Sequence, residues 1–173
     1  MDIINSVAYH YFEKEDGPLA CLCSIPYEQA ISISHKKYHT HDDRIYYLKQ
    51  RMMFEELMLK SFIKKGGDPQ KRYAYYFTIN EKGFLETYFK NPDYLIVPVS
   101  CFDPKTISFT YGDSFYTYTR KDSHPTSRKV YTLNEIIEII ELYGTEFPDD
   151  QWYGFIEMQV WDDQTIRSYV SGL

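Results

Sequence analysis

The chain has 173 residues, 43% hydrophobic and 25% charged, enough apolar surface for one globular domain spanning residues 1–173. No stretch approaches the roughly 20 consecutive apolar residues of a membrane-crossing helix, and 18 Tyr, 11 Phe and 2 Trp give far too much ring surface for a chain that stays unfolded. A net charge of −6, from 19 Lys and Arg against 25 Asp and Glu, disfavours broad nucleic-acid binding; the basic segment 60–72 is read as a helix end whose lysines complement the C-terminal dipole.

In chain order, residues 7–12 form a first strand, ended by the charged turn Glu13-Lys14-Glu15-Asp16-Gly17. Pro26 opens a short helix running to about Ser34. A long helix over 43–65 has Ile45, Leu48, Met52, Met53, Leu59, Phe62 and Ile63 as its apolar stripe and stops at Gly66-Gly67. Strands follow at 73–79, 94–99, 106–111 and 115–120, with a short helix over 83–90 halted by Asn91-Pro92. Thr132-Leu133-Asn134-Glu135 is a capping box opening a helix with Ile136, Ile137, Ile139, Ile140 and Tyr143 facing inward, stopped by Gly144. The expected architecture is α+β: a mixed, mainly antiparallel arrangement of about six to seven strands with three to four helices.

Cys21, Cys23 and Cys101 cannot make a closed disulfide set, and no charged-then-apolar leader follows Met1, so a reducing cytoplasm is the expected compartment. Cys21-x-Cys23 with His35, His39 and His41 lacks paired zinc-ligand spacing, and no metal is expected. Nucleotide-loop, dinucleotide-fold, hydrolase-elbow and zincin motifs are all missing from the sequence.

The last strand, 154–161, is the most informative. Alternation puts Ile156, Met158 and Val160 on one face and Phe155, Glu157, Gln159 and Trp161 on the other. A carboxylate and a carboxamide between aromatic rings suit a polar-lined cleft, or alternatively a solvent face partly covered by a loop. In a cleft, a carboxylate such as Glu157 can act as a base, bind a cation, or hold a ribose hydroxyl pair and stabilise positive charge building on a sugar carbon. His10 shares a face with Ala8 and Phe12, and Tyr76 points away from Tyr75 and Phe77.

The strand carrying Tyr9-His10-Tyr11, the Tyr75-Tyr76-Phe77-Thr78 strand, the turn Tyr111-Gly112-Asp113-Ser114 and the final Ile156-Glu157-Met158-Gln159-Val160 strand together resemble the ADP-ribosyltransferase superfamily. The likeness is to its DNA-modifying toxins and the related RNA 2′-phosphotransferases. That resemblance implies NAD bound in a cleft between two small sheets, with Glu157 as the late catalytic glutamate and Arg51, or Arg44, as the arginine. It further implies His10, Tyr76, Trp161 and Gln159 as cofactor-binding residues. The chain departs from the pattern where Tyr11 follows His10 and where Gly17 to Cys23 replaces a glycine-ended helix. It also resembles a bacterial family with a Tyr-Gly-Asp turn and a terminal Val-Trp, which carries no function.

A reading from another class competes with this one. A small, acidic, tyrosine-rich chain suits a binding protein that neutralises a basic toxin or nuclease, with its rings on a convex surface. An enzyme would instead have its tyrosines lining a cleft. The acceptor is not named by the sequence, and exposed tyrosine would favour self-association.

Overall fold

The computed structural model describes residues 1–37, 44–80, 83–120, 123–145, 147 and 154–171. Five strands build one sheet: β1 (Val7–Glu13), β2 (Tyr75–Ile79), β3 (Pro92–Pro98), β4 (Ile107–Tyr111) and β5 (Ile156–Val160). Their order is β3-β1-β2-β5-β4, and every pairing is antiparallel. Around it lie α1 (Tyr27–Lys37), α2 (Arg44–Lys64), α3 (Ser114–Thr119), α4 (Leu133–Tyr143) and α5 (Gln164–Val170), with a six-residue 3-10 helix at Gly83–Tyr88 and two shorter 3-10 turns.

The α+β class is therefore as expected, but the counts are not. Five strands replace six to seven, the sheet is purely antiparallel rather than mixed, and the described residues hold five α-helices rather than three to four. The miscounted strand is 115–120, whose Phe-Tyr-Thr-Tyr-Thr composition reads as β. There the Asp113 side chain accepts the Tyr116 N–H at 2.8 Å and nucleates α3 instead. Once helical, Phe115 and Tyr118 reach Phe54 of α2 at ring-centroid distances of 5.5 and 5.3 Å. The sequence reading has no helix after Trp161, where α5 lies; the Asp162 carboxylate accepts the Gln164 N–H at 2.6 Å and Ile166 is buried, so Asp162 and Asp163 lead into a helix.

Both faces of the sheet are covered. On one, Phe77, Phe109, Ile156, Met158 and Val160 meet Ile136 and Ile140 of α4 and Ile166 of α5. On the other, Trp161 packs with Phe54, Met58 and Phe62 of α2 and Tyr118 of α3. Consequently all five residues of β5 are buried, not alternate ones. α4 begins with the expected capping box, and α2 ends as expected at Gly66, whose φ of +87° favours glycine. At Gly67 a Cβ would sit 2.5 Å from the Phe62 ring, so glycine there lets the chain pass close beneath it.

α2 buries Leu48 and Phe62 of its expected stripe and half-buries Met52 and Leu59, but not the rest. Ile45, Met53 and Ile63 are exposed, whereas Arg51 and Glu55 are buried alongside Leu48, Met58 and Phe62. The helix is turned so that the Arg51–Glu55 ion pair faces the sheet together with Met58.

Phe77 has no exposed surface and touches the rings of His10 and Phe102. Phe77→Ala is expected to cost about 3–5 kcal/mol in equilibrium urea unfolding. Leu142→Ala, at a side chain 70% exposed, should stay within about 0.5 kcal/mol.

Candidate functional site

The strand register carries the polar side of β5 into a row across three strands. Thr78, Glu157 and Thr110 lie side by side, as do Tyr76, Gln159 and Ser108. Of these, Thr78, Ser108, Thr110, Glu157 and Gln159 are all buried. Such groups need partners, and they find one another in a directed chain. The Trp161 indole N–H donates to Ser108 Oγ at 2.9 Å, and the Ser108 hydroxyl donates to Gln159 Oε1 at 2.9 Å. Gln159 Nε2 then donates to Thr110 Oγ1 at 3.1 Å and to Glu157 Oε2 at 3.2 Å.

From the other side the backbone N–H of Ser114, at the start of α3, donates to the same Glu157 oxygen at 2.9 Å. Gly112, with φ of +104°, makes the turn from β4 that brings it there, and the Thr110 hydroxyl fastens the turn by donating to the Gly112 carbonyl at 2.8 Å. The bonds from Ser114 and Gln159 to Glu157 both end on Oε2. Among the described residues Glu157 Oε1 accepts none, and Glu157 lines a cavity of about 650 Å³.

That cavity lies between the sheet, α2, α3 and the 3-10 helix at Gly83–Tyr88, with aromatic walls that include Tyr9, Tyr11, Tyr47, Phe115, Tyr116 and Phe155. Arg51 enters it from α2. Its guanidinium lies 3.6 Å from the centre of the Tyr76 ring, Nη1 donates to Ser114 Oγ at 2.9 Å, and Nε is 3.8 Å from Glu55 Oε1. Glu55 is 1% exposed, and its Oε2 accepts the Ala74 N–H at 3.0 Å. The Tyr76 hydroxyl is buried without a hydrogen-bond partner.

The electrostatics follow from burial. Desolvation, helped by the negative charge of Asp113 and opposed by Arg51 and the Ser114 hydrogen bonds, raises the Glu157 pKa to about 7. Glu55 is also raised by burial, with Arg51 pulling the other way. Burial raises Tyr47 to about 12 and pushes the Cys23 thiol and Tyr76 hydroxyl up, so these three are neutral at physiological pH.

Of the expected site residues, Glu157, Arg51, Tyr76 and His10 line this cavity. Gln159 is behind it, fully buried, and acts on Glu157 rather than on a ligand. Trp161 is not a cleft wall: it is 0% exposed and stacks on Phe62 at 6.3 Å, so no cofactor reaches its ring. His10 belongs to the opposite alternation of β1, stacking on Phe77 at 4.8 Å. The β1–β2 ladder stops at Tyr9↔Thr78, and beyond it His10 Nδ1 meets the Tyr76 carbonyl at 2.7 Å while Nε2 meets the Pro18 carbonyl at 2.9 Å. Burial lowers its pKa. A neutral ring carries one N–H for those two acceptors and has no nitrogen left for a cofactor hydroxyl. The Arg44 side chain, His39 and His41 lie outside what the structure describes, as does the side chain of His35.

Sequence reasoning missed Glu55. Its signal was the i, i+4 spacing to Arg51, a pair that reads by default as a solvated helix face. Asp113 and Ser114 stand in the sequence only as a turn, and their place beside Glu157 is hidden because 115–120 has strand composition. The described residues include three free cysteines and no group of three or more metal-ligating side chains, and no described helix is long and apolar enough to cross a membrane.

Neither a protein-family model, nor a curated protein, nor a solved structure matches the chain.

With its pKa at about 7 against 4.5 for an unburied glutamate, Glu157 makes the folded state bind an extra proton between those values. Its contribution to stability is present at low pH and lost as pH rises through 7. Glu157→Gln is therefore expected to be more stable than the parent chain at pH 8, by up to about 3 kcal/mol, and to match it near pH 4. Urea denaturation at the two pH values checks the sign.

Proposed function

We propose that the protein is an NAD-dependent ADP-ribosyltransferase-like enzyme, with Glu157 as its central catalytic group. The observation that carries this reading is the carboxylate itself: Oε2 is anchored by Ser114 and Gln159, and Oε1 is left unbonded in an aromatic-walled cavity. A fixed carboxylate with one free oxygen suits a ribose hydroxyl and an oxocarbenium-like carbon, because the protein has already met the cost of orienting it. In the step proposed, the bond from ribose C1′ to the nicotinamide nitrogen breaks and both electrons go to the ring. Neutral nicotinamide leaves, and an acceptor nucleophile adds at C1′ and loses its proton to a base, for which Glu157 has a suitably placed pKa.

Arg51 supports the reading as a cation held against Tyr76, positioning Ser114 beside Glu157. Tyr76 has one face covered by that guanidinium and its hydroxyl is buried, so its part in the reading is to hold Arg51 in place. The cavity also favours an enzyme over a toxin-neutralising binding protein. Tyrosines gather at its walls, while among described residues only Tyr46 and Tyr94 are exposed large aromatics.

NAD at 100 times its dissociation constant should stabilise the chain by about 2.7 kcal/mol in a thermal-shift assay. Glu157→Gln should keep that protection and lose about 10²–10³ in nicotinamide release. Unchanged turnover in the variant, or no protection of the parent chain, would remove this function.

A further inference from the structure

We infer that the open edge of the sheet is an interface with a second copy of this chain, in which β3 pairs antiparallel with the partner's β3 about a two-fold axis at Leu95. This is independent of the activity proposed above. β3 and β4 are the two edges of the sheet. β4 is closed by Tyr131, which exchanges backbone hydrogen bonds with Phe109 at 2.8 Å in both directions. Among the described residues β3 has no such cover, and an open edge is a template for another strand.

The ladder fixes which peptide groups of β3 face outward. The Val99 N–H donates to the Ser6 carbonyl at 3.0 Å and the Lys14 N–H to the Asn91 carbonyl at 2.9 Å, in the register that pairs Ala8 with Val97, His10 with Leu95 and Phe12 with Asp93. Bonded and unbonded pairs alternate in an antiparallel ladder. Asp93, Leu95 and Val97 therefore bond to β1, while Pro92, Tyr94, Ile96 and Pro98 turn their backbone groups outward. Both prolines stand where an N–H would have faced out, equidistant from Leu95, and they end any further pairing on either side.

What remains is one short window, the N–H and C=O groups of Tyr94 and Ile96, and it is its own complement. With Leu95 on the axis, Tyr94 lies opposite the partner subunit's Ile96, and each such pair exchanges both of its N–H···O=C bonds. In the single chain the Tyr94 N–H is held by Asp93 Oδ1 at 2.9 Å, so pairing exchanges that exposed bond for one to the partner. The side chains match as well. Tyr94 is 46% and Ile96 39% exposed, and the Tyr94 ring leans on those of Tyr9 and Tyr11 at 5.9 and 6.0 Å. Pairing sets an aromatic ring across from a β-branched side chain twice over, which covers both. Leu95 and Val97, on the other face, already lie in the core. Because Tyr94 and Ile96 share a face with Tyr11 and Tyr9, which line the cavity, the cavities of the two copies lie on one face of a continuous sheet.

So short a window predicts a weak, reversible dimer of the full chain, with a Kd on the order of 10–100 µM in sedimentation equilibrium. Amide hydrogen exchange should show protection of Ile96 rising with protein concentration, with Leu95 and Val97 protected at every concentration. Tyr94→Glu with Ile96→Glu sets like charges across each pair and should weaken the dimer at least about tenfold. Tyr94→Lys with Ile96→Glu sets opposite charges there and should dimerise at least about tenfold more tightly than the double-glutamate variant. Tyr46→Glu with Met53→Glu, at exposed side chains of α2, adds the same charge elsewhere and should leave the Kd unchanged. Circular dichroism verifies that each variant is folded. A chain monomeric up to about 500 µM, an Ile96 amide indifferent to concentration, or a dimer moved no more by the β3 variants than by the α2 variant overturns the interface.

Discussion

A carboxylate buried at the centre of a sheet has to be held by donors, and the placement of Glu157 organises much of what surrounds it. Its neighbours across the ladder are hydroxyl residues, Thr78 and Thr110, where apolar side chains would be the ordinary choice between two packed layers. Gln159 and Ser108 extend the row, Trp161 supplies the first donor, and Gly112 bends the chain so that a backbone amide completes the set. The same row explains the turn of α2. A helix lying over polar groups presents Arg51 and Glu55 to them, and leaves Ile45 and Met53 to solvent.

This arrangement sets stability against activity in one residue. Burial raises the Glu157 pKa toward neutrality, and near-neutral titration is what a proton-transferring group requires. The raised pKa is also a measure of how poorly the folded chain tolerates the charged form. Arg51 and the donors on Oε2 offset only part of that penalty, while Asp113 adds to it. Asp113 is kept there by a separate duty, capping α3.

Much of this was legible in the residues. Period-two alternation placed Glu157 and Gln159 together and set Ile156, Met158 and Val160 on the opposite face, as the strand register has it. The capping box at Thr132 and the glycine stop at Gly66 are local chemistry and were read directly. What the sequence hid was tertiary. Trp161 has the same alternation as Glu157, yet α2 covers it with Phe62, and no pattern in β5 could say so. The strand-forming residues of 115–120 yielded to one cap and to the rings of α2. Arg51 and Glu55 look like a surface ion pair until the sheet beneath them is known to be polar.

The double coverage of β5 also governs motion. A strand hydrogen-bonded on both edges and packed on both faces opens only when the whole domain does, so its amides belong to the slowest-exchanging class. Glu157 is thus fixed to the least deformable part of the chain, while α3 and the 3-10 helix at Gly83–Tyr88 stand outside the sheet as walls of the cavity. Any rearrangement that admits a ligand therefore falls to those walls and leaves the carboxylate where it is.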